Sequence, residues 1–197
     1  MSEKTLEYYN RNAEKFIAST QDVVFTSVQD RFLAELSPGA SVLDFGCGSG
    51  RDTKYFLSKG MTVSATDGSE QMVKAARELT GIDVQLALFT DLSEVDRYDG
   101  IWACSSILHC PMEELKEVFR RMIAALKSHG VIYTSFKYGS FEGERNGRFF
   151  MDMDEKKFAS FIAAFPELFV EEQWINSDVR PGREDEKWLN LILRKNV

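Results

Sequence analysis

The stretch SVLDFGCGSGRDTKYFLSKG, residues 41–60, constrains the fold of this chain more than any other. An apolar run leads into glycines at alternate positions, Gly46, Gly48 and Gly50, and then into a helical pattern that stops at Gly60. A strand that turns on glycines directly into a helix is the first half of a βαβ unit. The alternation then repeats. MTVSATD alternates apolar and polar residues and ends at Asp67, and Ser69 is placed to cap a helix carrying Met72, Val73, Ala76 and Leu79, which Gly81 closes. DVQLAL and YDGIWAC read as a third and a fourth strand. Pro111 opens a helix with Leu115, Val118, Phe119, Met122, Ile123 and Leu126 on its apolar side, and GVIYTSFK is a fifth strand. Strands and helices in this order predict a parallel sheet wound by right-handed crossovers.

The flanks differ from this core. Leu6, Tyr9, Ala13, Phe16 and Ile17 predict one amphipathic helix ahead of the sheet, and Phe25, Val28, Phe32 and Leu36 predict a second, ended by Ser37–Gly39. After the fifth strand KYGSFEGERNGRF reads as a loop, followed by a helix with Phe158, Phe161, Ile162 and Phe165. LFVEEQWI and KWLNLILRK follow with only the polar NSDVRPGREDE between them, so they form a hairpin and one of them runs antiparallel to the sheet. No repeat or linker divides the 197 residues, which suffice to bury one core, and we expect a single domain over 1–197.

The chemistry of the glycine turn narrows its ligand. A phosphate-binding P-loop needs Lys-Ser/Thr after its glycines, and here Arg51-Asp52 follows Gly50. The dinucleotide fingerprint GxGxxG needs its third glycine one residue later than Gly50. Asp44, two residues before Gly46, is a poor neighbour for a pyrophosphate and a good one for an ammonium group or for the amides of the turn. Asp44, the GxGxG and Asp67 together resemble motif I and the following acidic residue of the class I S-adenosylmethionine (SAM) methyltransferases, and the resemblance covers nearly the whole chain.

The resemblance implies an α/β, Rossmann-like fold: a mostly parallel seven-stranded sheet with an antiparallel C-terminal strand and helices on both faces. It implies a helical lid at 1–37, a SAM-binding core at 38–137 and a substrate-side loop, helix and hairpin at 138–197. It also implies a cofactor seat formed by Asp44, Gly46, Cys47, Gly48, Gly50, Arg51, Asp67, Gly68, Met72, Leu88, Phe89 and Cys104. Asp67 would take the ribose hydroxyls, and Arg51 the methionine carboxylate. Many relatives carry an acid after strand three that contacts the adenine amino group; Leu88-Phe89 stand there instead. FGCGSGRDT is further similar to the small tellurite-resistance-type methyltransferases, although the histidine–arginine pair of their last hairpin is missing.

The acceptor side is read from scattered residues. His109 follows the fourth strand at the sheet edge where ligands of open α/β folds bind, and is either a base or a structural helix cap. Tyr8 falls off the apolar stripe of the first helix and is the aromatic expected to act at the site, with Tyr9 beside the acceptor. Lys137, Arg145 and Arg148 in and before the long loop, with Arg180 and Arg183 in the hairpin connection, suggest an acid-binding pocket; each alone is also an ordinary solvated side chain. Cys104 has no activating partner, and two separated histidines make no metal site.

The expected activity is therefore methyl transfer from SAM, with S-adenosylhomocysteine as product, to a small acceptor that is anionic or a soft nucleophile. A tRNA or protein methyltransferase, a SAM-binding regulator without transfer activity and an NAD-dependent oxidoreductase are the rivals. A net charge of −7 argues against nucleic acid as the partner. Three cysteines without metal or disulfide spacing, and no run of membrane-spanning length, predict a cytoplasmic protein. The oligomeric state is not legible.

Overall fold

The computed structural model describes residues 1–196. Three short helices, α1 (Glu3–Arg11), α2 (Ala13–Thr20) and α3 (Thr26–Ala34), precede the sheet. β1 (Ser41–Phe45), α4 (Arg51–Ser58), β2 (Thr62–Asp67), α5 (Glu70–Thr80) and β3 (Gln85–Leu86) follow, then β4 (Tyr98–Ala103), α6 (Met112–Ala125) and β5 (Leu126–Lys137). The chain ends with β6 (Glu142–Arg145), β7 (Arg148–Met151), α7 (Glu155–Ile162), β8 (Leu168–Ser177) and β9 (Lys187–Lys195).

The seven-stranded sheet has the order β3-β2-β1-β4-β5-β9-β8, and β9 alone runs antiparallel to its neighbours. The direction of winding reverses between β1 and β4. Two successive crossovers leave in opposite directions there, so the loops after these strands part and open a crevice at their carboxyl ends.

Both faces of the sheet are covered, which is why its central strands are apolar at nearly every position. Leu43, Phe45, Ile101, Ile132 and Phe136 face a core completed by α6 and α7, where Phe119 meets Phe161 with ring centroids 4.8 Å apart. Val42, Trp102, Val131 and Tyr133 face α3 and α4 through Phe32 and Phe56, with Trp102 stacked on Tyr133 at 4.0 Å. Emptying a site such as Phe119 would cost about 3–5 kcal/mol.

The structure departs from the sequence reading in three places. The first predicted helix is two helices, broken at Asn12 (φ −110°, ψ 17°), whose side-chain amide donates to the Tyr8 carbonyl (2.8 Å) and so competes with the helical ladder. The third strand shrinks to two residues at the sheet edge, a length that discourages pairing with other chains. The predicted loop after β5 contains the β6–β7 hairpin, turned by Asn146 (φ 52°) and Gly147 (φ 77°). Asn-Gly is the pair that a two-residue turn with positive φ at both positions demands, so this signal was present in the sequence.

Candidate active site

The turn after β1 is shaped by a close approach. Gly46 sits at φ 83°, and a Cβ there would lie 2.5 Å from the Cβ of Ser106 in the loop after β4. Gly48 (φ 56°) is different, because a Cβ would meet nothing within 4 Å; it leaves an open cradle of bare backbone. Asp67 at the end of β2 holds this turn. Its Oδ2 accepts from the Gly48 amide (2.9 Å) and its Oδ1 from the Ser69 amide (2.8 Å). Burial raises the Asp67 carboxyl above its ordinary range, and these amides oppose the rise. Each oxygen keeps a lone pair for a further donor.

Asp44, 2% exposed, accepts from the Thr53 hydroxyl at 2.6 Å, and burial together with nearby Asp52 pushes its carboxyl upward. Asp52 is a hub that sequence reasoning missed. It accepts from Gln29 Nε2 (2.7 Å), Trp102 Nε1 (2.8 Å) and the fork of Arg51, Nε at 2.7 Å and Nη2 at 3.0 Å. A cation in the first turn of a helix needs an anion against the helix dipole, and Asp52 is that anion. Arg51 also lies over the Phe25 ring (5.1 Å) and keeps only Nη1, in a long 3.4 Å bond to the Thr20 carbonyl, outside the pair.

Cys47, Gly68, Met72, Phe89 and Cys104 line the same cleft. Asp44, Gly50 and Leu88 do not: Asp44 is buried on Thr53, Gly50 lets α4 approach α5 at Ala76 and Thr80, and the Leu88 side chain packs beside Gly68. Burial drives the Cys104 thiol up to about 12 and Cys47 well above its ordinary value, so both are neutral and neither is a nucleophile.

At the other end of the cleft α1 delivers Tyr9, whose hydroxyl lies 2.8 Å from His109 Nε2. His109 Nδ1 is 2.6 Å from the Phe149 carbonyl, which can only accept, so Nδ1 carries the proton and Nε2 accepts from Tyr9. Arg148 Nη1 donates to the same hydroxyl (3.2 Å). Burial lowers His109 to about 4, with the bond to Phe149 opposing, and it is neutral at pH 7. Its lone pair is already committed, so in this geometry it orients Tyr9. Tyr8 is not at this cleft: its ring lies under the Arg148 guanidinium (4.4 Å) and borders an outer groove instead.

The predicted cations separate in the structure. Arg145 forks onto Asp152 (2.8 and 2.6 Å), between Phe141 and Phe150, and does not line the cleft. Arg180 forks onto Asp178 (2.9 and 2.5 Å), whose carboxyl falls to about 2 as these hydrogen bonds outweigh burial. Lys137 pairs with Glu186 and lies over Trp188 (5.2 Å), and Arg183 meets Glu186 at 3.6 Å. Lys137, Arg148, Arg180 and Arg183 all border the cleft.

Ser135, Trp188 and Asn190 also line it and were missed. Asn190, 1% exposed and bonded to the Tyr133 hydroxyl (2.7 Å), stands out as a polar residue inside an apolar strand, which was the available signal. Among the described residues no group of three or more His, Cys, Asp or Glu could hold a metal ion.

Residues 42–130 match a family model described as a methyltransferase domain. Over 127 residues the chain is 34% identical to the 2-methyl-6-phytyl-1,4-hydroquinone methyltransferase of Synechocystis sp., covering 61% of this chain and 39% of that enzyme. The matches span less than half the length of each curated relative. The 1,6-didemethyltoxoflavin-N1-methyltransferase of Burkholderia thailandensis, solved with 1,6-didemethyltoxoflavin and S-adenosylhomocysteine, aligns with a TM-score of 0.72 at 21% identity, over 98% of this chain and 91% of that one. The [4+2]-cyclase SpnF aligns at 0.77 and 15% identity, over 98% and 96%. At these identities the structural likeness establishes the fold. Residues 42–130 are thus similar to a methyltransferase domain, and the sheet order and glycine turn carry the Rossmann-like fold of the solved neighbours.

Proposed function

We propose that this protein transfers a methyl group from SAM to a small acceptor that arrives as an anion or a soft nucleophile. The observation that carries the reading is the cradle at Gly48, open above bare backbone and held by Asp67. Asp67, with Asp52 on the same cleft, suits a ligand bearing ribose hydroxyls and an ammonium group and is a poor neighbour for a pyrophosphate. The rings of Phe16, Phe25 and Tyr9 line the cleft and offer apolar cover to a sulfonium.

SAM held at the Gly48–Asp67 cradle would supply an electrophilic methyl carbon to the acceptor's lone pair, with the electrons of the broken carbon–sulfur bond retained by S-adenosylhomocysteine. The protein's part is alignment, exclusion of water and placement of charge. A histidine held near 4 is a poor final holder for a proton, and both cysteines are neutral, which favours an acceptor that needs no deprotonation.

The narrower kinship with tellurite-resistance enzymes rests on Arg51, which here serves Asp52, so tellurite is one arm of the test. No helix among the described residues is long and apolar enough to cross a membrane.

Calorimetric titration with SAM and with NAD, then S-adenosylhomocysteine release across thiols, tellurite, selenite, small carboxylic acids and bulk tRNA, tests the reading. The release assay is required because SpnF, of the same fold, is described as a cyclase. Binding of NAD without SAM would sink the proposal. SAM binding without release to any acceptor would favour a regulatory role, and tRNA as the sole acceptor would replace the small molecule.

A further inference from the structure

Five cations border the inner cleft, and four of them already have carboxylate partners: Arg51 with Asp52, Arg180 with Asp178, and Lys137 and Arg183 with Glu186. Arg148 is the exception. Among the described residues no carboxylate lies within ion-pair distance of it, its Nη1 donates to the Tyr9 hydroxyl, and its Nε is buried without any hydrogen-bond partner. A guanidinium withdrawn from water and left unpaired is costly to hold in place. This one is held by aromatic rings, with centroids of Tyr8, Phe150 and Tyr9 at 4.4, 5.0 and 5.6 Å from its central carbon. Its backbone is the first residue after the tight Asn146–Gly147 turn, so the head group is presented in one position before any ligand arrives.

The same molecule displays what such an edge binds. Arg51 and Arg180 each use Nε together with Nη2 as a fork on a carboxylate. Arg148 has that Nε unfilled beneath its ring cover, so a carboxylate completes the fork as the covering rings part. It also borders both the inner cleft and the outer groove, so it can be reached along the wall that joins them. The inner cleft offers flat apolar walls in Tyr9, Phe150 and Trp188.

We infer that Arg148 is the specificity-determining anchor for a carboxylate on the acceptor, and that the acceptor is a planar aromatic or conjugated acid. The inference rests on the methyltransferase reading for the word acceptor, but the anion site itself does not.

The test is ligand-observed NMR on protein saturated with S-adenosylhomocysteine, using benzoate, cinnamate and 2-naphthoate beside their primary amides. At least one acid is expected to bind, with its amide about tenfold or more weaker, and Arg148→Gln should weaken the acid by about tenfold to a hundredfold. Near-UV circular dichroism checks the fold of the variant. Arg148→Lys, which keeps the charge but loses the fork, should fall between the two and provides the reading if the glutamine variant unfolds. Equal binding of acid and amide, an unaltered acid affinity in either variant, or no acid bound by protein that binds S-adenosylhomocysteine would each overturn the inference. Repeating the titrations without S-adenosylhomocysteine separates the two readings. Acid binding through Arg148 in a protein that binds no S-adenosylhomocysteine would break the methyltransferase reading and leave the anion site standing.

Discussion

Gly48, Asp52 and Asp67 form one end of the cleft from the turn after β1, the helix α4 and the end of β2, and they present carboxylates and bare amides. Tyr9, His109, Arg148 and Arg180 form the other end from four segments spread over most of the chain, and they present hydroxyl, imidazole and guanidinium groups. The first end combines short-range bonds, Asp67 to the Gly48 and Ser69 amides, with the long-range hold of Gln29 and Trp102 on Asp52. The second exists only because α1 and the β6–β7 hairpin dock over the crevice, tied by Tyr9 to His109 and by Thr5 Oγ1 to the Phe149 amide (3.1 Å). A local motif carries its own geometry, whereas a dispersed site inherits its geometry from packing.

Four experiments break or sharpen this contrast. The largest effect is expected at Asp52. Asp52→Ala strands Arg51, Gln29 and Trp102 without their buried acceptor, and urea unfolding should report a loss of about 3–5 kcal/mol. A loss under 1 kcal/mol would show that the hub is dispensable.

Next comes the pH dependence written into the acceptor end. His109 sits at about 4 in the folded protein against an ordinary 6.5, so the unfolded chain takes up the proton first. Its contribution is therefore complete above pH 6.5 and is lost as pH falls toward 4, up to about 3 kcal/mol. Unfolding curves at pH 7 and pH 5 should differ more for the parent protein than for His109→Gln; parallel pH slopes would refute the assignment.

At the opposite end, Asp67→Ala should weaken SAM binding by about 1.5–3 kcal/mol in a calorimetric titration. It should also lower stability, because the Gly48 and Ser69 amides lose their acceptor. Unchanged affinity would remove Asp67 from the cofactor seat.

The smallest effect is expected at Arg183, which is 44% exposed by side chain and 3.6 Å from Glu186. Arg183→Ala should shift stability by less than about 1 kcal/mol and leave SAM affinity intact. A large loss of SAM affinity would show that the two ends are not separable.

The same contrast explains what could be read in advance. The helix from Ser69 to Gly81 was legible to the residue, because the Ser69 hydroxyl caps the Met72 amide and Gly81 adopts φ 75°, and both are local requirements. The GxGxG turn and Asp67 were legible for the same reason. Of the acceptor residues, sequence supplied candidates and misassigned some. Tyr8 and Tyr9 are neighbours in α1, and only docking of that helix decides which ring meets His109. Arg145 and Arg148 flank one turn as paired residues, yet Asp152 captures the first and, among the described residues, no carboxylate pairs with the second. Asn190 carried its signal, a lone amide in an apolar strand, but its place at the cleft depends on the register of β9 against β5.

By itself, then, the sequence determined the winding of the sheet, the glycine cradle and the acids that back it, since turn stereochemistry and hydrophobic period act over a few residues. The tertiary structure decided which cations are neutralised, which tyrosine faces the cleft and which guanidinium is left open. Those outcomes turn on ångström distances between groups that the chain brings together only when both faces of the sheet are packed.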